Sequence, residues 1–399
     1  MQEEQVNKLG TAGFQRFVLK AAPYGVLLFI FFMYAAPTSK LANIGFYLVV
    51  LLPMVLAAPL LIKDTEYVSY IRPFIIIITA WLLLMVIGLD AEWGMFGKKL
   101  RHAFYVLVFI SAIYFTLSSR LVSVNKIIAY IFWLTVAYSI VSMAIYYGWY
   151  GRSFSARLIP VLRLDSPIFV ADILSVFGVS LIYLMFQKES YLQVLVTLAV
   201  ILSLQYFYNA RSALVGLCFG LFIMLFLSNV KHKKVILLVT FILLVSYVAV
   251  SAYYGNLLNR GVSYRIDIWL SGIEKALDCN LWFGCGFGDD RGVVIDDGLV
   301  FQHAHNIFIV HLINTGIVGA LGLLIPLAYI LVKGWQVKSA MSFGLFAGII
   351  TLFFDGNELI TNPDALWLIF WLPVAQVYWQ IKLNEEKLLG HSYKSALQT

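Results

Sequence analysis

The sequence predicts an all-α integral membrane protein with about twelve transmembrane helices and one large loop outside the bilayer. Composition is the first reason: 61% of residues are hydrophobic and 12% are charged, where a soluble domain carries about 25% charged residues. Run length is the second. The apolar stretches are long, as a spanning helix needs, and they do not alternate as barrel strands do. The third is the polar segment 255–305, the one extended interruption of the apolar pattern. The chain therefore reads as a single polytopic unit, residues 1–399, with 255–305 as a loop held at one membrane face.

The expected spans are 18–36, 41–62, 71–89, 102–118, 126–149, 167–186, 191–208, 212–228, 234–254, 306–332, 339–355 and 364–381. Segment 306–332 exceeds one straight crossing. A short surface helix over 306–314 is expected there, turning near Gly316 into the membrane. The first apolar run lacks a small-residue cleavage site, so it is expected to stay as a span.

Charge sets the expected orientation. The net charge of +7 is scattered over short loops, which points to membrane topology and not to nucleic acid. With both termini inside, most of the 28 Lys and Arg fall on the inner side, and loop 255–305 lies outside. Lys98, Lys99 and Arg101 run against this rule. So do the outer arginines: Arg152, Arg157 and Arg163 in one short loop, Arg211 at a span boundary, and Arg260, Arg265 and Arg291 in the long loop. Arginine on the wrong side for topology invites a chemical explanation.

Arg211 occupies a connection of a few residues between two spans. Either it snorkels to lipid head groups or it is a fixed cation facing an anionic ligand, a task that suits a planar guanidinium. Val262, Ile266, Trp269, Ile273, Ala276 and Leu277 recur at helical spacing, so 260–278 is expected to be an amphipathic helix. Arg265 then falls about 70° from the centre of that stripe, on a flank turned toward the bundle, as a functional cation or as an interfacial one.

His303 and His305 stand two apart, poor spacing for a shared metal. Each is a structural histidine or, with Asn306 and the arginines nearby, a general base or acceptor-orienting group. His311 lies in an apolar run and is expected in the core. Asp355 ends an apolar run at the outer face, as a functional acid or the ion-pair partner of an arginine; Asp165 and Asp172 are weaker cases. Asp289, Asp290, Asp296 and Asp297 form a solvated run without metal-site spacing, and no metal or other cofactor is expected. The turn Gly284-Cys285-Gly286-Phe287-Gly288 lacks the strand and helix of a phosphate loop and reads as a tight turn that folds the loop over the bundle. Cys279 and Cys285 either pair, given an oxidising compartment, or stand as two thiols. Cys218 is expected in the core.

These motifs have a familiar order. Asn209-Ala210-Arg211-Ser212-Ala213 stands at a span boundary and Tyr264-Arg265-Ile266 heads the loop helix. Leu281-Trp282-Phe283 then leads into the glycine turn, and His303-Ala304-His305-Asn306 re-enters the membrane. Across residues 205–360 this resembles the O-antigen ligase family, whose superfamily includes O-antigen polymerases and some protein O-oligosaccharyltransferases. The resemblance implies a membrane-embedded, GT-C-like glycosyltransferase of the bacterial inner membrane, with cytoplasmic termini and a periplasmic active face. It implies transfer of O-antigen polysaccharide from undecaprenyl diphosphate to lipid A–core, without a metal and with inversion.

Carried onto this sequence, the family's arginines fall on Arg211 and Arg265, its histidine on His305, and its late acid, loosely, on Asp355. The arginines are then expected to stabilise the charge growing on the diphosphate, and His305 to orient or deprotonate the acceptor. Arg152, Arg157, Arg163, His303 and Asp355 are expected as further substrate contacts. The partners implied are the lipid-linked glycan, lipid A–core and membrane lipids. The loop becomes a lid that brings Arg265 and His305 over Arg211. A polymerase with the same donor is the alternative. A transporter fits less well, because the charges sit at loops and span ends and not mid-span.

Overall fold

The computed structural model describes residues 21, 23–88, 93–228, five positions between 241 and 249, 264–286, 292–295 and 298–396. Most of the expected span 234–254 lies outside them, as do Arg260, Arg291 and the four aspartates of the acidic run.

The protein is an all-α integral membrane protein. Its first half runs through α1 (Pro23–Ala35), α2 (Ser39–Leu61), α3 (Thr65–Ile87), α4 (Trp93–Ser118), α5 (Val124–Trp149), α6 (Pro167–Gln187), α7 (Tyr191–Tyr208) and α8 (Arg211–Leu227). The loop helix is α9 (Arg265–Cys279). A two-stranded hairpin follows, β1 (Val293–Val294) and β2 (Val300–Phe301). Then come α10 (Ile307–Gln336), α11 (Ala340–Asp355) and α12 (367–396). Among the described residues, seven helices are long and apolar enough to cross a membrane, and α1, α8 and α11 are shorter apolar helices.

Most observed helices match the expected spans within a few residues. α3 and α4 begin earlier than hydropathy alone marks. Asp64 caps α3 by accepting from the Glu66 and Tyr67 amides, so helical geometry extends through a polar first turn. The opening of α4 holds Lys98, Lys99 and Arg101. Lys99 is buried in an ion pair with Glu358, which accounts for one of the charges that ran against the topological rule.

Three helices form the centre of the bundle. α6 is buried along most of its length and packs against α8 and α11 through glycines. A Cβ on Gly344 or Gly348 of α11 would strike the backbone or side chains of Val176 and Ser180 on α6, or the Ile369 carbonyl. A Cβ on Gly216 or Gly220 of α8 would strike Thr351 and Ala347 on α11. Both helices thus present small residues four apart, which lets backbones approach closely where apolar burial against lipid gives little drive. The contacts also fix register. Position 220 meets 347 and 216 meets 351, so the antiparallel pair places Arg211, at the start of α8, level with the Asp355 end of α11.

A tight turn joins α7 to α8. Asn209 is left-handed (φ 46°), and its amide donates to the Gln205 and Tyr206 carbonyls. Asn tolerates that conformation better than most side chains, which lets two residues close the connection.

α10 breaks where the sequence indicated. Gly316 has φ 62° and ψ −167° inside an otherwise helical run. The glycine turn fills the break. Cys285 N donates to the Ile313 carbonyl (2.6 Å) and Gly286 N to that of Asn314 (3.2 Å), while Ile317 N and Val318 N donate back to Leu281 and Trp282. The backbone groups orphaned by the kink are satisfied by the turn. Gly284 (φ 75°) has no room for a side chain, since a Cβ would lie 2.5 Å from the Ile313 oxygen.

Candidate active site

α9 lies over the end of the bundle. Its docked stripe is Ile268, Gly272 and Ala276, with Gly272 close against Ile309 and Ala304. This corrects the expected phase. Ile266, Leu270, Ile273 and Leu277 are all exposed, so the larger aliphatic residues turn away from the protein. Arg265 lies seven residues before Gly272, about 20° from it around the helix. It therefore continues the docked stripe instead of flanking it. Trp269 packs its ring on Phe353 and Phe354 at the end of α11. The helix starts after Tyr264, which is left-handed (φ 51°); residues 260–263 lie outside the described ones.

Cys279 and Cys285 form a disulfide. It ties the end of α9 to the turn inserted in α10. Of the two readings the spacing left open, the structure has the bridge.

Asp355 gathers the site. Its Oδ2 is 3.3 Å from Nη2 of Arg265, and its Oδ1 is 2.8 Å from Nδ1 of His305. The carboxylate is nearly buried, with 8% of its side chain exposed, while Arg265 and His305 keep 25% and 33%. Arg265 also lies 5.9 Å over the Phe354 ring. A carboxylate only accepts, so His305 donates from Nδ1. In the neutral imidazole Nε2 then carries the lone pair, the arrangement a general base requires. Of the two readings of Asp355, the structure has the ion pair with an arginine.

His305 is held in a left-handed conformation (φ 49°). Two neighbours fix it there. Its amide donates to Nδ1 of His303 at 3.1 Å, and Asn306 caps α10 by accepting from the Phe308 and Ile309 amides. The two imidazoles lie 4.1 Å apart. Burial, then the field of His305, lower the His303 pKa to about 4. That fits a ring nitrogen used as an acceptor, and His303 serves the turn that presents His305.

The other expected residues divide. Arg211 opens α8 at this end of the bundle. Arg157 donates from Nε to the Tyr208 carbonyl at 2.8 Å, at the end of α7. Arg163 donates to the Pro363 carbonyl at 3.2 Å. Arg152 is exposed. His311 is buried with its ring edge-on to Trp81, as expected for a core residue.

Sequence reasoning missed what holds Asp355 in place. The segment after it, 356–366, is pinned by the Lys99–Glu358 ion pair, by Arg163, and by a bond from Trp371 Nε1 to the Leu359 carbonyl. Asp364 caps the start of α12 through the Leu366 amide. Burial raises its pKa to about 6 against the pull of Thr361 and Arg163. The available signal was Lys99, a lysine on the wrong side of the membrane. One turn deeper than Asp355, Asp172 is completely buried with both oxygens unpartnered, and Asp355 and Arg265 are the charges that act on it. Among the described residues, no three His, Cys, Asp or Glu side chains converge as metal ligands.

Two comparisons with known proteins bear on this arrangement. A family model described as O-Antigen ligase matches residues 173–324, an interval that takes in Arg211, Arg265, His303 and His305 and stops short of Asp355. An O-antigen ligase of Pseudomonas aeruginosa is 27% identical over 195 residues, which is 46% of this chain and 46% of that relative. The match thus spans a little under half the length of either protein. Together they support the O-antigen ligase family, the one that the motifs and their order resemble.

Proposed function

We propose that this chain is a glycosyltransferase that moves O-antigen polysaccharide from undecaprenyl diphosphate to lipid A–core at the periplasmic face of the inner membrane. The observation that carries the reading is the Arg265–Asp355–His305 constellation, held at one end of a membrane bundle and level with Arg211. A disulfide in the same loop fits an oxidising compartment, and the positive-inside balance favours the same side.

The chemistry follows from the side chains. An acceptor hydroxyl attacks the anomeric carbon from the face opposite the diphosphate. Its proton passes to Nε2 of His305, a transfer worth about 10²–10⁴-fold when well placed. The bond from the anomeric carbon to the diphosphate oxygen breaks, and undecaprenyl diphosphate leaves. Arg211 and Arg265 stabilise the charge that grows on it, an electrostatic role that in many enzymes is the largest contribution. Asp355 holds Arg265 until the diphosphate competes for it, and orients the His305 ring throughout. One-sided attack inverts the anomeric centre, and two guanidiniums do the work that a divalent ion does in other diphosphate sites.

The deciding experiment is reconstitution of the purified protein with a polyprenyl-diphosphate-linked glycan and lipid A–core. Glycan on lipid A–core is the expected product. Longer lipid-linked chains, with lipid A–core unmodified, select the polymerase reading. EDTA is expected to leave the rate unchanged; a loss restored by a divalent ion overturns the metal-free mechanism.

A further inference from the structure

One groove lies away from this site. It has a volume of about 700 Å³ and opens between the start of α3 and the middle of α12. The opposite end of α3 reaches the site layer, where Gly88 meets Gly286. The groove therefore sits at the other membrane face.

Its lining has an order. Thr65, Ser69, Arg72 and Ile76 of α3 line it, spaced four, three and four apart, so they form one stripe along the helix. Thr65, Ser69 and Arg72 put polar groups at the end nearer the helix terminus, among Ile62 and Val68, and Ile76 and Ile77 continue the lining toward the bilayer centre. Lys382 of α12 reaches the same groove. It shares its charge with Glu385 at 3.2 Å, whereas Arg72 makes no ion pair among the described residues. A backbone acceptor adds to these. Pro73, inside α3, has no N–H, so the Ser69 carbonyl one turn back loses its helical donor.

We propose that this groove is a binding site for an anionic glycerophospholipid of the leaflet facing away from the active site. Arg72 and Lys382 would take the phosphodiester. The Ser69 carbonyl would accept from a head-group hydroxyl, and an acyl chain would lie along Ile76. Such a lipid bridges α3 and α12, which otherwise meet near this level through the Tyr70 hydroxyl on the Ala375 carbonyl and the Tyr70–Tyr378 rings.

The test is native mass spectrometry and thermal melting of the detergent-purified protein, with phosphatidylglycerol, phosphatidylethanolamine and inorganic phosphate as separate probes. Phosphatidylglycerol is expected to bind more tightly than phosphatidylethanolamine, by about fivefold for each cation engaged. Arg72→Ala with Lys382→Ala is expected to abolish the preference. Arg72→Gln alone is expected to reduce it about fivefold, and serves if the double variant does not reach the membrane. Equal binding of the two lipids overturns the proposal, as does a preference that Arg72→Gln leaves undiminished. Competition by inorganic phosphate as strong as that by phosphatidylglycerol also overturns it, since it marks an anion site without a lipid. None of these readouts depends on glycan transfer.

Discussion

The candidate site has two walls, and they are built on different principles. The bundle wall is α6, α8 and α11. Its helices touch through glycines four apart, and Asp355 and the start of α8 are levelled by that register. The loop wall is α9, the glycine turn and the start of α10. It coheres through main-chain hydrogen bonds inserted into a broken helix and through one disulfide. One wall is helix geometry alone; the other is irregular backbone that membrane depth tolerates only when protein satisfies its polar groups. Each contributes one arginine, and Asp355 of the first reaches across to Arg265 and His305 of the second.

If the reaction needs both walls, single losses on either are severe. His305→Ala, Arg265→Ala and Arg211→Ala are each expected to lower transfer by about 10²–10⁴-fold with normal amounts of protein in the membrane. Asp355→Ala combined with His305→Ala is expected to be little worse than His305→Ala alone, because residues acting as a unit are not additive. Additive losses would separate the walls.

The next test distinguishes the walls by stability. Gly348→Leu overpacks the bundle and is expected to cost about 1–3 kcal/mol or more in thermal melting of the whole protein. Gly284→Ala forces a side chain into a left-handed, occupied position. It is expected to expose the loop to limited proteolysis while the bundle melts near its usual temperature. A single shared melting transition in both variants would mean that the walls unfold together.

Removing the disulfide through Cys279→Ala and Cys285→Ala is expected to cost about 2 kcal/mol for so short a closed loop, again read by proteolysis of the loop. A separate expected effect is on pH. His303 has a folded pKa of about 4, below the ordinary value of about 6.5. Between those values the unfolded chain binds more proton, so His303 makes stability fall as pH drops through that window. Its contribution is constant above about pH 6.5. His303→Gln is expected to flatten that part of the thermal-stability profile; an unchanged slope assigns it to other groups.

Much of this architecture was legible in the sequence. The broken helix at Gly316 followed from a run too long for one crossing; the glycine turn was legible as a tight turn, but not its insertion into that break. The phase of α9 was not legible. Ranking by hydrophobicity weights Ile266, Ile273 and Leu277, yet close approach selects Gly272 and Ala276, and in a membrane protein the greasier face need not be the docked one. Asp355 was visible as an odd acid at a span end. That it joins Arg265 to His305 was not, because 50 and 90 residues separate the partners. Arg157 and Arg163 show the converse. Their clustering suggested a ligand site and gave no sign that each would also hold a backbone carbonyl.

The crossing of Gly284 with Gly316 has a mechanical consequence. α9 is fastened to α10 at its far end by that crossing and the disulfide, and along its middle where Gly272 meets Ile309. A lid needs a hinge, and this helix has none between those fastenings. If those fastenings hold through turnover, admission of substrate is expected to fall to torsions of single side chains, above all Arg265 leaving Asp355, and to lateral movement of lipids. Turnover should therefore respond to bilayer viscosity and survive a cross-link between α9 and α10.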